Sequence, residues 1–96
     1  MLRQMLATKR FWKHFWIDRR VLKLPTPAKT ILIGAITLSN NEDIFDPDPH
    51  VLRAKLAINA SIERVEADVQ RIIDLGLAIP CEVNGKPLAR LSIKFI

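Results

Sequence analysis

The sequence predicts a mainly helical α+β domain that closes on a β-hairpin, and three observations carry that prediction. First, Ile62, Val65, Val69, Ile72, Ile73 and Gly76 fall at offsets 0, +3, +7, +10, +11 and +14, the one-sided stripe of an amphipathic helix. Second, Gly76 supplies a left-handed stop and Leu77-Ala78-Ile79 then begins a strand that Cys81-Glu82-Val83 extends. Third, Asn84-Gly85 is the pair favoured in a two-residue hairpin turn, because both positions need a positive φ. The return strand alternates, with Ala89, Leu91, Ile93 and Phe95 on one face and Arg90, Ser92 and Lys94 on the other.

The elements before this stretch follow in order. In residues 1–17, Leu2, Met5, Leu6, Trp12 and Trp16 roughly share a helical face, although Phe11 to Ile17 also alternates loosely enough for a strand. Four large aromatics within six residues point to a core or an interface. Thr26 is expected to cap a helix with Pro27 at its first position, and Ala28 to Leu38 is apolar on nearly every side. A helix of that kind must be surrounded, so either the N-terminal arm or a partner covers it. Gly34 within it predicts a close approach by a neighbour.

Asn40 to Asp48 reads as an acidic loop with Ile44-Phe45 as a short strand. Asp43, Asp46 and Asp48 lack the glycine and terminal glutamate of a calcium loop, so capping and solvation are their expected tasks. Asp48 should cap a helix from Pro49 to Leu56, and Asn59 is the residue expected to turn left-handed after it. Ser61 should cap the amphipathic helix, with Glu63 near its positive end. From Leu52 to Phe95 the order is helix, turn, helix, hairpin, that of a winged helix-turn-helix. The expected layout is a basic aromatic arm over residues 1–24 and the winged domain over 25–96, one domain overall.

Composition narrows the function. With 96 residues, 49% apolar and 26% charged, the chain is globular rather than disordered. The lone Cys81 cannot form an internal disulfide, no apolar run approaches the roughly 18 residues of a membrane span, and no continuous apolar segment precedes a cleavage site. A cytoplasmic location away from membranes is the expectation. The net charge of +5 is unevenly spread. Residues 1–39 carry eight Lys/Arg against Asp18 alone, residues 40–82 carry four against nine acids, and residues 83–96 add Lys86, Arg90 and Lys94. The positive field thus sits on the arm and the hairpin.

Catalytic chemistry finds no foothold. His14, His50 and Cys81 show no metal-ligand spacing, and three glycines form no phosphate-binding loop. No serine sits in a nucleophile elbow, so neither an enzyme nor a cofactor is expected. Double-stranded DNA binding has a coherent physical case. Opposite the apolar stripe lie Arg64, Ala67 and Arg71, with Gln70 beside them and Ser61 at the helix start, placed for a major groove. Lys86, Arg90 and Lys94 on the hairpin suit phosphates, and Arg19, Arg20 and Lys23 would extend the footprint. Against this, Glu63, Glu66, Asp68 and Asp74 outnumber the two arginines of that helix. Phe11, Trp12, Phe15, Trp16 and Ile33 are the candidates for a homodimer or partner interface.

With these residues laid out, the chain resembles the N-terminal winged-helix domain of phage replisome organisers and related replication-initiation proteins. The resemblance runs over roughly residues 11–95. It rests on Phe15-Trp16-Ile17-Asp18, Val21-Leu22 with Leu24-Pro25, Ala28 with Ile31-Leu32, Ile44-Phe45, and Val69, Ile72 and Leu75-Gly76-Leu77 leading into strands. It implies binding of double-stranded origin DNA and contact with replication partners. The expected function is therefore non-enzymatic DNA binding of phage or plasmid type, in replication initiation or transcriptional control. The competing expectation is a protein-interaction module that leaves DNA alone.

Overall fold

A computed structural model describes residues 2–93. Lys94 and Phe95, assigned above to opposite faces of the return strand, lie outside the described residues. Six helices and three strands follow in the order α1 Leu2–Met5, α2 Lys9–Ile17, α3 Arg19–Leu22, α4 Thr26–Leu38, β1 Ile44–Phe45, α5 Pro49–Lys55, α6 Ile62–Asp74, β2 Ala78–Val83 and β3 Lys86–Leu91. The strands form one antiparallel sheet of order β1-β3-β2, with Phe45 opposite Ala89 and Ala78 opposite Leu91. The result is a mainly helical α+β domain whose element order is compatible with a winged helix-turn-helix.

Local sequence explains most of the boundaries. Thr8 caps α2 by accepting from the Phe11 N–H at 3.2 Å, and Asp18 closes α2 while its carboxylate accepts from the Arg20 N–H at 2.8 Å to open α3. Asp48 caps α5 through the His50 N–H at 2.9 Å, and Ser61 caps α6 through the Arg64 N–H at 3.2 Å. Gly76 ends the α6 segment at φ +76, and Asn84 and Gly85 turn the hairpin at φ 53 and 80, the type I′ signature.

Two local expectations shift. The cap of α4 is Pro25, with no side-chain hydrogen bond, so Thr26 lies inside the helix and its carbonyl accepts from the Thr30 hydroxyl. After α5 the left-handed residue is Ala57, at φ 52, not Asn59. The Ile58 N–H there reaches back to the Arg53 carbonyl at 3.1 Å, so the helix end closes two residues earlier than the asparagine.

The core explains why the apolar α4 is tolerable. Ala28, Ile31, Leu32, Ala35 and Ile36 are all buried, α6 packs along the helix, and α1 and β1 add further cover. At Gly34 a Cβ would collide with the Leu56 side chain, whose Cγ would lie only 3.1 Å away, so the expected close approach is that leucine. Leu2, Phe11, Phe15, Val21 and Leu24 belong to the same apolar cluster. The stretch read as an arm therefore contributes to the core.

Phe11 and Phe15 need correcting as interface residues. Both are 0% exposed, stacked with centroids 5.7 Å apart inside the chain's own core. Trp12 is half-buried and spends its indole N–H on the Leu6 carbonyl at 2.8 Å, and Ile33 is half-buried against the core. Trp16 alone of the four aromatics is exposed, at 48%, and it stacks on Trp12.

The hairpin has two unlike faces. Ala78, Ala89 and Leu91 turn inward and are buried, while Ile79, Val83, Lys86 and Arg90 face out. The two-residue turn makes Val83 and Lys86 a hydrogen-bonded pair, and Ser92 donates to the Leu77 carbonyl at 2.8 Å in the same alternation. Pro80 therefore turns its nitrogen to the open edge of β2, where no ladder bond is lost.

Candidate nucleic-acid interface

Helix α6 is the scaffold of the candidate site. Val65, Val69 and Ile72 bury one side, and Glu63, Glu66, Ala67, Gln70, Arg71 and Asp74 are exposed on the other. Ser61 is committed to its cap and Gln70 to Asp74 at 2.8 Å, one turn further on. The exposed face is acidic around Glu63 and Glu66 and carries Arg71 near its C-terminal end.

The C-terminal end of α6 gathers cations from α3. The Arg20 guanidinium donates to the Gly76 carbonyl at 3.0 Å, where helix carbonyls left without intrahelical partners favour a positive charge. Arg20 also pairs with Asp18 at 3.3 Å. Burial alone would push the Asp18 carboxyl up. The hydrogen bonds from the Arg20 side chain, the N–H groups of Arg20 and Val21 and the nearby positive charge outweigh it, so the pKa falls below its ordinary 3.8. Lys23 and Arg71 line a shared depression of about 270 Å³ with Asp74 and Leu75. The fold thus brings Arg20 and Lys23, distant in sequence, to the same end as Arg71, while Arg19 is exposed on α3.

The N-terminal half of α6 is arranged differently. Arg64 Nε lies 3.6 Å from a carboxylate oxygen of Asp68, whose side chain is only 5% exposed. This pairing was missed in the sequence. Its signal was present: Asp68 sits three residues after Val65 and four before Ile72, inside the apolar stripe, and four after Arg64. A charged residue at such a position calls for a partner.

On the hairpin, Lys86 is drawn to Asp46 at 3.4 Å, which offsets part of the expected positive tip. Arg90 is exposed between Ile79 on β2 and Ile44 on β1, so its surroundings are apolar rather than basic. The acidic loop residues have separate tasks. Asp43 accepts from the Leu2 N–H at 2.7 Å, Asp46 from the Asp48 N–H at 3.0 Å, and Asp48 caps α5.

Among the described residues, no group of three His, Cys, Asp or Glu side chains could hold a metal ion, and no helix is long and apolar enough to cross a membrane. No protein-family model, curated protein or solved structure matches this chain.

Proposed function

We propose that this protein is a non-enzymatic, double-stranded DNA-binding domain of the winged helix-turn-helix type. Its setting would be the cytoplasm, in replication initiation or transcriptional control of a phage, plasmid or related element. The observation that carries this reading is the gathering of Lys23 and Arg20 beside Arg71 at the exposed C-terminal end of α6. A helix that offers an exposed face with cations gathered at one end suits a groove bordered by phosphates. The resemblance to replisome-organiser domains points the same way. In this reading Arg71 approaches a base edge or phosphate, Lys23 and Arg19 neutralise phosphates, and Arg90 and Lys86 supply backbone contacts.

Anisotropy of a labelled random duplex, titrated with protein at several salt concentrations, tests it. Affinity that falls steeply with salt is expected, with a slope set by the number of phosphates neutralised. Absence of binding at low salt, from a folded protein at micromolar concentration, would sink the reading.

A protein-interaction module is the second reading, and one observation favours it. Trp16, Ile17 and Leu22 are 48%, 62% and 58% exposed on α2 and α3, more apolar surface than a DNA contact needs. A homodimer through these residues is compatible with either function. Charge reversal at Arg71 separates the two readings: in the first it weakens duplex binding tenfold or more, and in the second there is no duplex binding to weaken, while Trp16→Ala breaks assembly.

A further inference from the structure

A groove of about 260 Å³ opens between the start of α4, the turn before α6 and the first two turns of α6. Its walls include Pro27, Ile31, Ile58 and Val65, all apolar, and Asp68 and Arg64 line it with them. The Asp68 side chain is 5% exposed, and among the described residues its one charged partner is Arg64, at 3.6 Å. Among the described residues no fully buried side-chain oxygen or nitrogen lacks a partner, so the carboxylate, which no protein hydrogen bond reaches, keeps an opening to the groove. The Arg64 side chain is 55% exposed and itself lines part of the groove.

Buried carboxylates are ordinarily both paired and hydrogen-bonded, because desolvation is costly and a single long contact offsets little of it. Here the acid lines a groove whose other walls are mainly apolar, with Thr30 and Asn59 at its polar margin. We propose that this groove binds a small organic cation, with an ammonium, amidinium or guanidinium head on a short hydrocarbon stem. The head replaces Arg64 on Asp68 with shorter, charge-assisted hydrogen bonds. The stem lies against Pro27, Ile31, Ile58 and Val65, burial that Arg64 does not gain from its present position. Displacing Arg64 strands no buried charge, since its guanidinium swings into water. The volume falls below the roughly 300–1,000 Å³ of drug-sized ligand sites, which sets the occupant at one ring or a short chain.

The site needs no DNA. One consequence does rest on the DNA reading: an Arg64 released from Asp68 becomes free to meet a phosphate or base.

Titration of the isotope-labelled protein with benzamidine, followed by amide NMR without DNA, tests the site. Saturable shifts are expected at Ile58 to Ala60, Val65 and Asp68, with the neutral analogue benzamide binding at least tenfold more weakly. Asp68→Asn should weaken benzamidine at least tenfold. Arg64→Met should tighten it severalfold, because the internal competitor is gone; this variant decides the matter even if Asp68→Asn fails to fold. Equal binding of benzamide, or unchanged affinity in Arg64→Met, would overturn the proposal. The consequence is read separately by duplex anisotropy. Saturating benzamidine should raise DNA affinity threefold or more in the parent and not in Arg64→Met. Cation binding without that rise would overturn the coupling alone, and a protein that binds the cation but no duplex would overturn the DNA reading alone.

Discussion

The two ends of α6 carry one arginine each, and the fold treats them in opposite ways. At the N-terminal half, Arg64 leans on buried Asp68 in the same helix. At the C-terminal end, Arg71 shares a depression with Lys23, while Arg20 occupies the Gly76 carbonyl beside it. In sequence the two arginines are equivalent: both face away from the apolar stripe, both within an acidic helix. In three dimensions one belongs to an ion pair and the other to a cation cluster assembled from α3. A count of charges along a helix therefore says little about charge available to a partner, because neighbours from elsewhere decide which side chains are already engaged.

The sharpest way to break this comparison is to invert the C-terminal cluster. Arg71→Glu is expected to lower duplex affinity by tenfold to a hundredfold, about 1.4–2.7 kcal/mol, and to flatten the salt dependence by about one contact, read by anisotropy. The scaffold under that cluster is the next target. Gly76→Ala forces a side chain into a left-handed backbone at φ +76, and should cost about 1–2 kcal/mol in denaturant melts.

Asp18→Ala removes the α3 cap and the Arg20 partner together, with an expected cost of about 1 kcal/mol at neutral pH. The pKa of Asp18 is lowered on folding, so its stabilisation is complete above the ordinary carboxylate range and drains away as pH falls through the folded value. Parent and variant stabilities should therefore converge in acid, measured by paired melts at pH 7 and pH 2.5. The smallest effect is expected at the other end of the helix. Arg64→Ala should change duplex affinity by less than about 0.5 kcal/mol, since its guanidinium, though exposed, has its charge already offset by Asp68. A loss there as large as that of Arg71→Glu would erase the distinction between the two ends.

What the sequence made legible was local. Ser61, Asp48 and Asn84-Gly85 act where their neighbours in the chain predict, because caps and tight turns are settled within four or five residues. The left-handed residue after α5 was misplaced because α5 ends at Lys55 and the left-handed position falls on Ala57 despite its Cβ, two residues before the asparagine. Phe11 and Phe15 looked identical to Trp12 and Trp16 in kind, and a helical wheel cannot say whether an aromatic face meets its own domain or another. The candidate site was half legible. The exposure of Arg71 follows from periodicity alone, whereas its company of Arg20 and Lys23 depends on where α3 lands. Asp68 counts in sequence only as one more acid of the helix, because its type masks its position in the stripe.

Pro80 has a bearing on how the protein behaves in a crowd. The outer strand of the hairpin is an open edge beside exposed Ile79 and Val83, the combination that recruits further strands and seeds sheet growth between molecules. A pyrrolidine ring at the middle of that edge deprives an incoming strand of a donor and holds it at a distance. The outer face of the hairpin, where Ile79 and Val83 are exposed, can thus stay uncovered at high protein concentration without becoming the template for an aggregate.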